Sequence, residues 1–352
     1  MDKIKAIVPR IAPLDAKAME QAQKKLDLLT KPQGSLGRLE DLAKQLAGII
    51  GALPKNIKDK VVFTFAADHG VTAEGVSAYP SEVTAQMVYN FLAGGAGINV
   101  LARHVGARVA VADLGIKTEL KIKNEKLKIR KVGSGTKNMA KEPAMTESEA
   151  VKSIEAGMEI FEEELAKGLD IAATGEMGIG NTTAASCITA VIAGKDITAV
   201  CGRGTGLDDQ GLSRKVSAIN KAIALNKPDK NNALDVLAKV GGFEIGALAG
   251  VILAAAANKK PIVIDGFISG AAALIAFGIE PKCRDYMIAG HVGIEPGHRI
   301  ILEHLGLKPL LDLDLRLGEG TGAALAIGII DAAVKILNEM ATFESAGVSE
   351  KK

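Results

Sequence analysis

From residue 61 onward the chain alternates short runs rich in Val and Ile with longer Ala-rich stretches, and this alternation constrains the fold most. The apolar runs at 61–67, 108–114, 171–174, 198–201, 261–264, 286–289 and 310–317 predict strands. The stretches at 81–93, 146–167, 183–193, 213–225, 243–257 and 271–277 predict the helices between them. Thr146 and Glu149 stand three apart at the head of one such stretch, the spacing of a reciprocal helix cap. Strands and helices that alternate, with both sheet faces apolar, close as an α/β fold: a doubly wound, mostly parallel sheet. Residues 1–60 differ, with mixed charge and helical spacing at 19–29 and again from about 37 to 50. Pro32, Gly34 and Gly37 mark a turn between them. The Lys-rich stretch 117–141 breaks the rhythm and reads as an edge hairpin plus a loop. A long helix is expected from 321 to about 340.

In such sheets ligands bind beyond the carboxyl ends of the strands, so the residues after each strand bear most on function. After 61–67 come Asp68, His69 and Gly70. After 171–174 comes GEMGIGNTT, residues 175–183. After 198–201 comes GRGTG, residues 202–206, and after 310–317 comes GEGTG, residues 318–322. Gly is frequent, 39 of 352 residues, and glycine loops let backbone N–H groups converge on an anion while the following helix adds its dipole. The first two loops, with Lys215 in the next helix, point to a phosphate. No GxxxxGK[ST] occurs, which excludes a P-loop, and no GxGxxG opens the first βαβ unit, which weakens a dinucleotide-binding oxidoreductase even though Asp113 could grip a ribose. Glu176 and Glu319 each sit among glycines at a strand end. A helix-capping acid explains one such residue. Two facing one crevice point to acid–base chemistry, because shielding raises a carboxylate toward usefulness as a base.

Composition closes other routes. Lys+Arg is 43 against 41 Asp+Glu, aromatic residues are 3% and Trp is absent, so a nucleic-acid surface is not expected. Cys187, Cys201 and Cys283 form no CxxC pair, and no HExxH or tight His/Asp cluster appears, so neither a disulfide scaffold nor a metal site is expected. The first fifteen residues lack a long apolar core, and the longest uncharged apolar stretch, 245–257, is too short to cross a bilayer. These features predict a cytoplasmic protein that does not meet a membrane.

Seven motifs occur in order: LTKPQGSLGRLE, AADHGVTAEGVSAYPSEVTAQMV, GEMGIGNTTAAS, CGRGTGLDD, DGFISGAAA, GHVGIEPGH and GEGTGAALA. Together, from about Leu26 to about Ala333, they resemble the nicotinate-nucleotide–dimethylbenzimidazole phosphoribosyltransferase family of cobalamin biosynthesis. The resemblance implies a Rossmann-like catalytic domain over 61–335 and a small helical domain from 1–60 with 336–352. It implies a homodimer with the site near the subunit interface, and small-molecule substrates: nicotinate mononucleotide and a benzimidazole-type base. Ribose phosphate would pass to the base with inversion at the anomeric carbon, without a metal or other cofactor. The pyridinium leaving group is already cationic, so a single carboxylate base suffices. By the same resemblance Glu319 is the catalytic base and Glu176 orients the benzimidazole. Gly178, Gly180, Asn181, Gly202, Gly204 and Lys215 belong to the nucleotide-phosphate region. Gly175, Thr182 and Gly318 border it as substrate-binding residues. Tyr79, Gln86 and Met87 lie in the segment of the aromatic-base pocket, and Met177 and Leu317 flank the flat ring. In GHVGIEPGH, Val292 and Gly293 stand where other members can carry polar residues.

Overall fold

The structure is a computed structural model and describes residues 1–121, 126–204 and 206–349. Residues 122–125 of the Lys-rich stretch, Thr205 of the second glycine loop and 350–352 of the tail lie outside the described residues.

β1 (Lys60–Ala67), β2 (Ala107–Gly115), β3 (Leu127–Ile129), β4 (Ile171–Met177), β5 (Ile262–Ile264) and β6 (Met287–Ala289) form one sheet in the order β3-β2-β1-β4-β5-β6. Every pairing is parallel. The two-residue period of a strand decides which layer each side chain joins. Val61, Phe63, Phe65 and Ala67 of β1 enter one core, whereas Val62 and Ala66 enter the other. β5 divides in the same way, with Ile262 and Ile264 opposite Val263.

α1 (Asp2–Ile7), α2 (Ala16–Asp27) and α3 (Arg38–Ile50) precede the sheet. α4 (Glu82–Ala93) and α5 (Gly97–Val105) join β1 to β2, and α6 (Glu147–Leu165) leads into β4. The Thr146 hydroxyl accepts from the Glu149 N–H while Glu149 reaches back to the Thr146 N–H, as the spacing predicted. Between β4 and β5 run α7 (Asn181–Ala193), α8 (Ile197–Val200), α9 (Asp209–Asn226), α10 (Ala233–Val240) and α11 (Phe243–Ala257). α12 (Phe267–Ile279) follows β5. β7 (His291–Val292) and β8 (Leu311–Asp312) flank α13 (Pro296–Leu305), and α14 (Thr321–Glu339) and α15 (Phe343–Ala346) end the fold.

One face of the sheet is covered by α1, α6, α7, α10, α11 and α12, and the other by α3, α4, α5 and α14. α11 is apolar all round apart from Glu244 and buried along its whole length, as befits a helix enclosed by others. It meets α6 backbone to backbone. A Cβ on Gly157 would lie 1.8 Å from the Ala247 carbonyl oxygen, and one on Gly250 would lie 2.0 Å from that of Ile154.

Several sequence expectations need correction. Residues 198–201 are not a strand: 197–200 form α8, because the Asp196 side chain accepts from the Thr198 N–H and caps a helical turn. Of 310–317 only Leu311–Asp312 pairs, with β7 and apart from the main sheet, and Asp314 breaks the run with a left-handed φ of +53°. The Lys-rich stretch makes no hairpin within its described part: β3 lies parallel to β2 at the sheet edge. α9 begins at Asp209, so Lys215 lies nearly two turns inside it. α5, α10 and α13 were not anticipated.

Among the described residues, α14 is long and apolar enough by length and composition to cross a membrane, and more than half of that window is buried in this fold. Asp331 and Lys335 hide it from a search for uncharged runs. Leu26, Leu29, Ala43 and Leu337 make a small separate cluster that ties α2 and α3 to the far end of α14.

Candidate active site

The strand order reverses between β1 and β4, which is where an open parallel sheet leaves a crevice at its carboxyl edge. A cleft of about 830 Å³, counting its open mouth, lies at this edge. Among the described residues it is lined by 176–182 at the end of β4 and just beyond it, 266–268 after β5, His291, Gly293, Ile294 and Glu295 after β6, and 315–318 before α14, together with Val76, Ser77 and Gly204.

Glu176 is the penultimate residue of β4 and is buried. Burial is the main reason its pKa is pushed up to about 8; a hydrogen bond from the Asn181 amide opposes the shift, and Glu244, Asp265 and Glu319 add to it. At neutral pH the resting chain therefore carries Glu176 mainly as the neutral acid. Unfolding returns it to the ordinary carboxylate range. The folded state thus binds the extra proton between the two values. Its stabilising effect is complete below the unfolded pKa and is lost as pH rises through about 8. Glu176→Gln should accordingly raise the melting temperature more at pH 8 than at pH 5, and equal changes at both would contradict this ionisation.

Glu319 precedes α14 and adopts φ +63°, a left-handed conformation unusual for a residue with a side chain. Three contacts hold it there. The Thr64 hydroxyl donates to its carbonyl at 3.0 Å, and the Ile98 N–H, in the first turn of α5, donates to its Oε2 at 3.1 Å. Gly175 lies so close that a Cβ would fall 2.2 Å from the same carbonyl. Burial, opposed by the Ile98 N–H and supported by Asp265, raises the Glu319 pKa. Glu319 itself is buried beneath the cleft lining. Its neighbour Gly318 abuts the other acid, since a Cβ there would lie 2.3 Å from Glu176 Oε1. Asp265, at the end of β5, accepts the Gly320 N–H at 3.1 Å and the Ala323 N–H at 2.9 Å, so it fixes the start of α14. The Asp265 N–H in turn donates to the Thr174 hydroxyl.

α7 starts at Gly180 and α12 at Gly266, and neither is capped by a side chain. Both starts line the cleft, so two helix N-termini turn positive dipole ends toward one space, although the Asn181 and Thr183 N–H groups of α7 already bond the Gly178 and Gly180 carbonyls. The second glycine loop is arranged otherwise than its sequence suggests. The Gly204 N–H is taken by Glu295 Oε1 at 2.9 Å. Lys215 is fully buried and donates to the Thr182 hydroxyl at 3.0 Å and the Gly202 carbonyl at 3.1 Å. Burial depresses its pKa against the pull of Cys201 and Glu295. Gly202 has no side chain because Glu295 Oε2 lies against its Cα, 2.1 Å from where a Cβ would stand.

The structure thus brings Glu176, Met177, Gly178, Gly180, Asn181, Thr182, Gly204, Leu317 and Gly318 around one cleft, with Gly175, Gly202, Lys215 and Glu319 in its supporting layer. It does not bring Tyr79, Gln86 and Met87 there. Tyr79 is exposed and lines a neighbouring cleft with Thr72, Ser81 and Lys117, sharing only Ser77 with the first. Gln86 is exposed, and Met87 packs half-buried against the core on the α3 side. Asp113 is spent on the Gly115 and Ile116 N–H groups. Sequence reasoning gave no role to Asp265, His291 or Glu295, although DGFISGAAA and GHVGIEPGH contain them. The signal was there: each follows a strand end, as the glycine loops do.

A phosphoribosyltransferase family model matches residues 11–348. The nicotinate-nucleotide–dimethylbenzimidazole phosphoribosyltransferase of Desulforudis audaxviator is 58% identical over 352 residues, which is 100% of this chain and 99% of that protein. The enzyme of the same name from Geobacter sulfurreducens is 55% identical over 341 residues, 97% of each chain. Among solved structures, the crystal structure of nicotinate-nucleotide–dimethylbenzimidazole phosphoribosyltransferase from Thermus thermophilus superposes with a TM-score of 0.91 at 47% identity, covering 96% of this chain and 100% of that one.

Proposed function

This chain belongs to the nicotinate-nucleotide–dimethylbenzimidazole phosphoribosyltransferase family, and on that premise we propose that Glu319 is its general base, Glu176 its second acid and the cleft beyond β4 and β5 its substrate site. The activity is transfer of ribose phosphate from nicotinate mononucleotide to dimethylbenzimidazole, in cobalamin biosynthesis. The azole nitrogen lone pair forms the new bond to the anomeric carbon. The old C–N bond breaks toward the pyridinium, which leaves as nicotinate without needing a proton. The attacking ring becomes cationic unless its other N–H is lost, and the Glu319 carboxylate takes that proton. Attack from the face opposite the leaving group inverts the anomeric carbon.

The observation that carries this reading is a carboxylate held by the Ile98 N–H, on a residue whose backbone Thr64 and Gly175 fix, beneath a cleft onto which two helix N-termini without side-chain caps open. The substrate has two anionic groups, a phosphate and a nicotinate carboxylate, and the two termini match them in number and kind. Lys215 supports the α7 terminus through Thr182. Glu176, as a neutral acid, can orient the incoming base through its carbonyl oxygen, which accepts the azole N–H and leaves the attacking lone pair free, and Met177 and Leu317 offer apolar surface to the flat ring. Tyr79, Gln86 and Met87 would complete the base pocket from the α4 side. Exposed Ile294, Leu313 and Leu317 around the cleft support a homodimer with the site at its interface. We retain a catalytic unit over 61–335 and a small helical unit from 1–60 with 336–352, which share α14 across residue 336, and a cytoplasmic protein with no nucleic-acid or membrane partner.

The test is direct. Protein, nicotinate mononucleotide and dimethylbenzimidazole are mixed without metal, and nicotinate and the riboside phosphate are followed by chromatography, with the anomer assigned by NMR. Equal release of nicotinate and α-riboside supports the reading. Nicotinate without riboside overturns the acceptor, and no nicotinate at all overturns the transferase.

A further inference from the structure

The cleft wall beside the α12 N-terminus contains an imidazole that the mechanism above leaves unused. His291 is buried and lines the cleft, and among the described residues its Nδ1 has no hydrogen-bond partner. Its ring is held in place by Gly322, where a Cβ would fall 2.0 Å from the ring carbon Cδ2. Its Nε2 lies 3.6 Å from Asp265 Oδ1. That Asp265 carboxylate also holds the Gly320 and Ala323 N–H groups, and Gly320 directly follows Glu319. A single carboxylate therefore stands between a cleft-facing imidazole and the backbone that carries the base.

We propose that His291 is a positioning residue that couples occupancy of the nucleotide site to the Glu319 base through Asp265. This rests on Glu319 being the base. An anion at the uncapped α12 N-terminus lies beside His291 and favours its protonated form. The imidazolium then offsets the Asp265 charge, which otherwise opposes ionisation of Glu319. The nucleotide thus readies the proton acceptor before the azole arrives. The other charged or titratable groups around His291 are Asp312 on β8, His298 on α13, Glu295 and Arg316 in the cleft lining, and Glu176 on β4. Burial works against a charge on His291, yet Asp265, the Val292 backbone and Asp312 together hold it above the ordinary imidazole range. His298, whose Nδ1 accepts the Gly293 N–H, is pushed down to about 3 by burial and by His291, and stays neutral. It is no rival for the proton.

The first test uses the wild-type protein. The five histidines are titrated by NMR alone, with nicotinate mononucleotide, with nicotinate and with inorganic phosphate. Nicotinate mononucleotide should raise the pKa of one imidazole by roughly one unit, the size expected of a new neighbouring charge. Whichever of nicotinate and phosphate reproduces the shift identifies the anion at α12. No histidine responding to the nucleotide overturns the proposal. The second test compares kcat against pH for wild type and His291→Gln. Without the imidazolium, Asp265 acts on Glu319 unopposed, so the acid limb should move up by about half a pH unit or more. A uniform loss of kcat with an unmoved limb would mark His291 as merely structural and overturn the coupling. If Glu319→Gln retains activity, the base assignment fails instead, and the two failures are distinguished.

Discussion

Glu319→Gln should lower kcat by roughly 10²–10⁴-fold, the range for loss of a positioned general base, while nicotinate mononucleotide still binds. The amide is nearly isosteric and can still accept the Ile98 N–H, so the left-handed turn and its Thr64 contact should survive. What is lost is a group able to take the azole proton. Nicotinate release followed by chromatography gives kcat, and calorimetric titration with the nucleotide gives Kd. A kcat within a few-fold of wild type would remove Glu319 from the chemistry and move attention to Glu176. A large loss of nucleotide affinity would instead mean that the residue holds the substrate.

The largest stability effect should come from the α6–α11 crossing, far from the cleft. Gly157→Ala places a methyl 1.8 Å from the Ala247 carbonyl oxygen, a backbone atom that no rotamer change can move aside. The helices must separate, and α11 is enclosed along its whole length, so the strain spreads into the core. A cost of about 3 kcal/mol, the upper end for overpacking, is expected in urea unfolding. Gly347→Ala is a useful contrast, because nothing stands within 4 Å of a Cβ there and only its φ of +64° resists a side chain. Equal stability of Gly157→Ala and wild type would show that the two helices are free to slide apart.

How much of this was legible in sequence depends on how local each signal is. The sheet was readable because burial on both faces leaves continuous Val and Ile runs. The Thr146–Glu149 cap was readable because it is complete within four residues. Thr198–Cys201 misled, since its β-prone residues gave no hint that Asp196 would turn the preceding backbone into a helix start. The alternation of Leu with charge over 310–317 promised a strand, yet the partner it needed, His291–Val292, is only two residues long. In the site, Glu176 and Glu319 were visible because their glycine neighbours are sequence-adjacent. Asp265 and His291 carried only the weaker signal of following a strand end, because the contacts that make them matter reach residues 320–323, far away in sequence. Tyr79, Gln86 and Met87 follow from resemblance alone and lie outside the main cleft in a single chain.

The contacts of Glu319 also have an order in time. Thr64, Ile98 and Gly175 touch it, Asp265 fixes the residue after it, and all four precede it in the chain. A ribosome therefore delivers the socket first and the proposed base last. Until α14 has emerged, the nascent chain holds the strands, the first two glycine loops and both uncapped helix starts, but not the proposed proton acceptor. Substrate meeting an unfinished chain would find a partial cradle and no chemistry, and activity would begin only when the final long helix packs down.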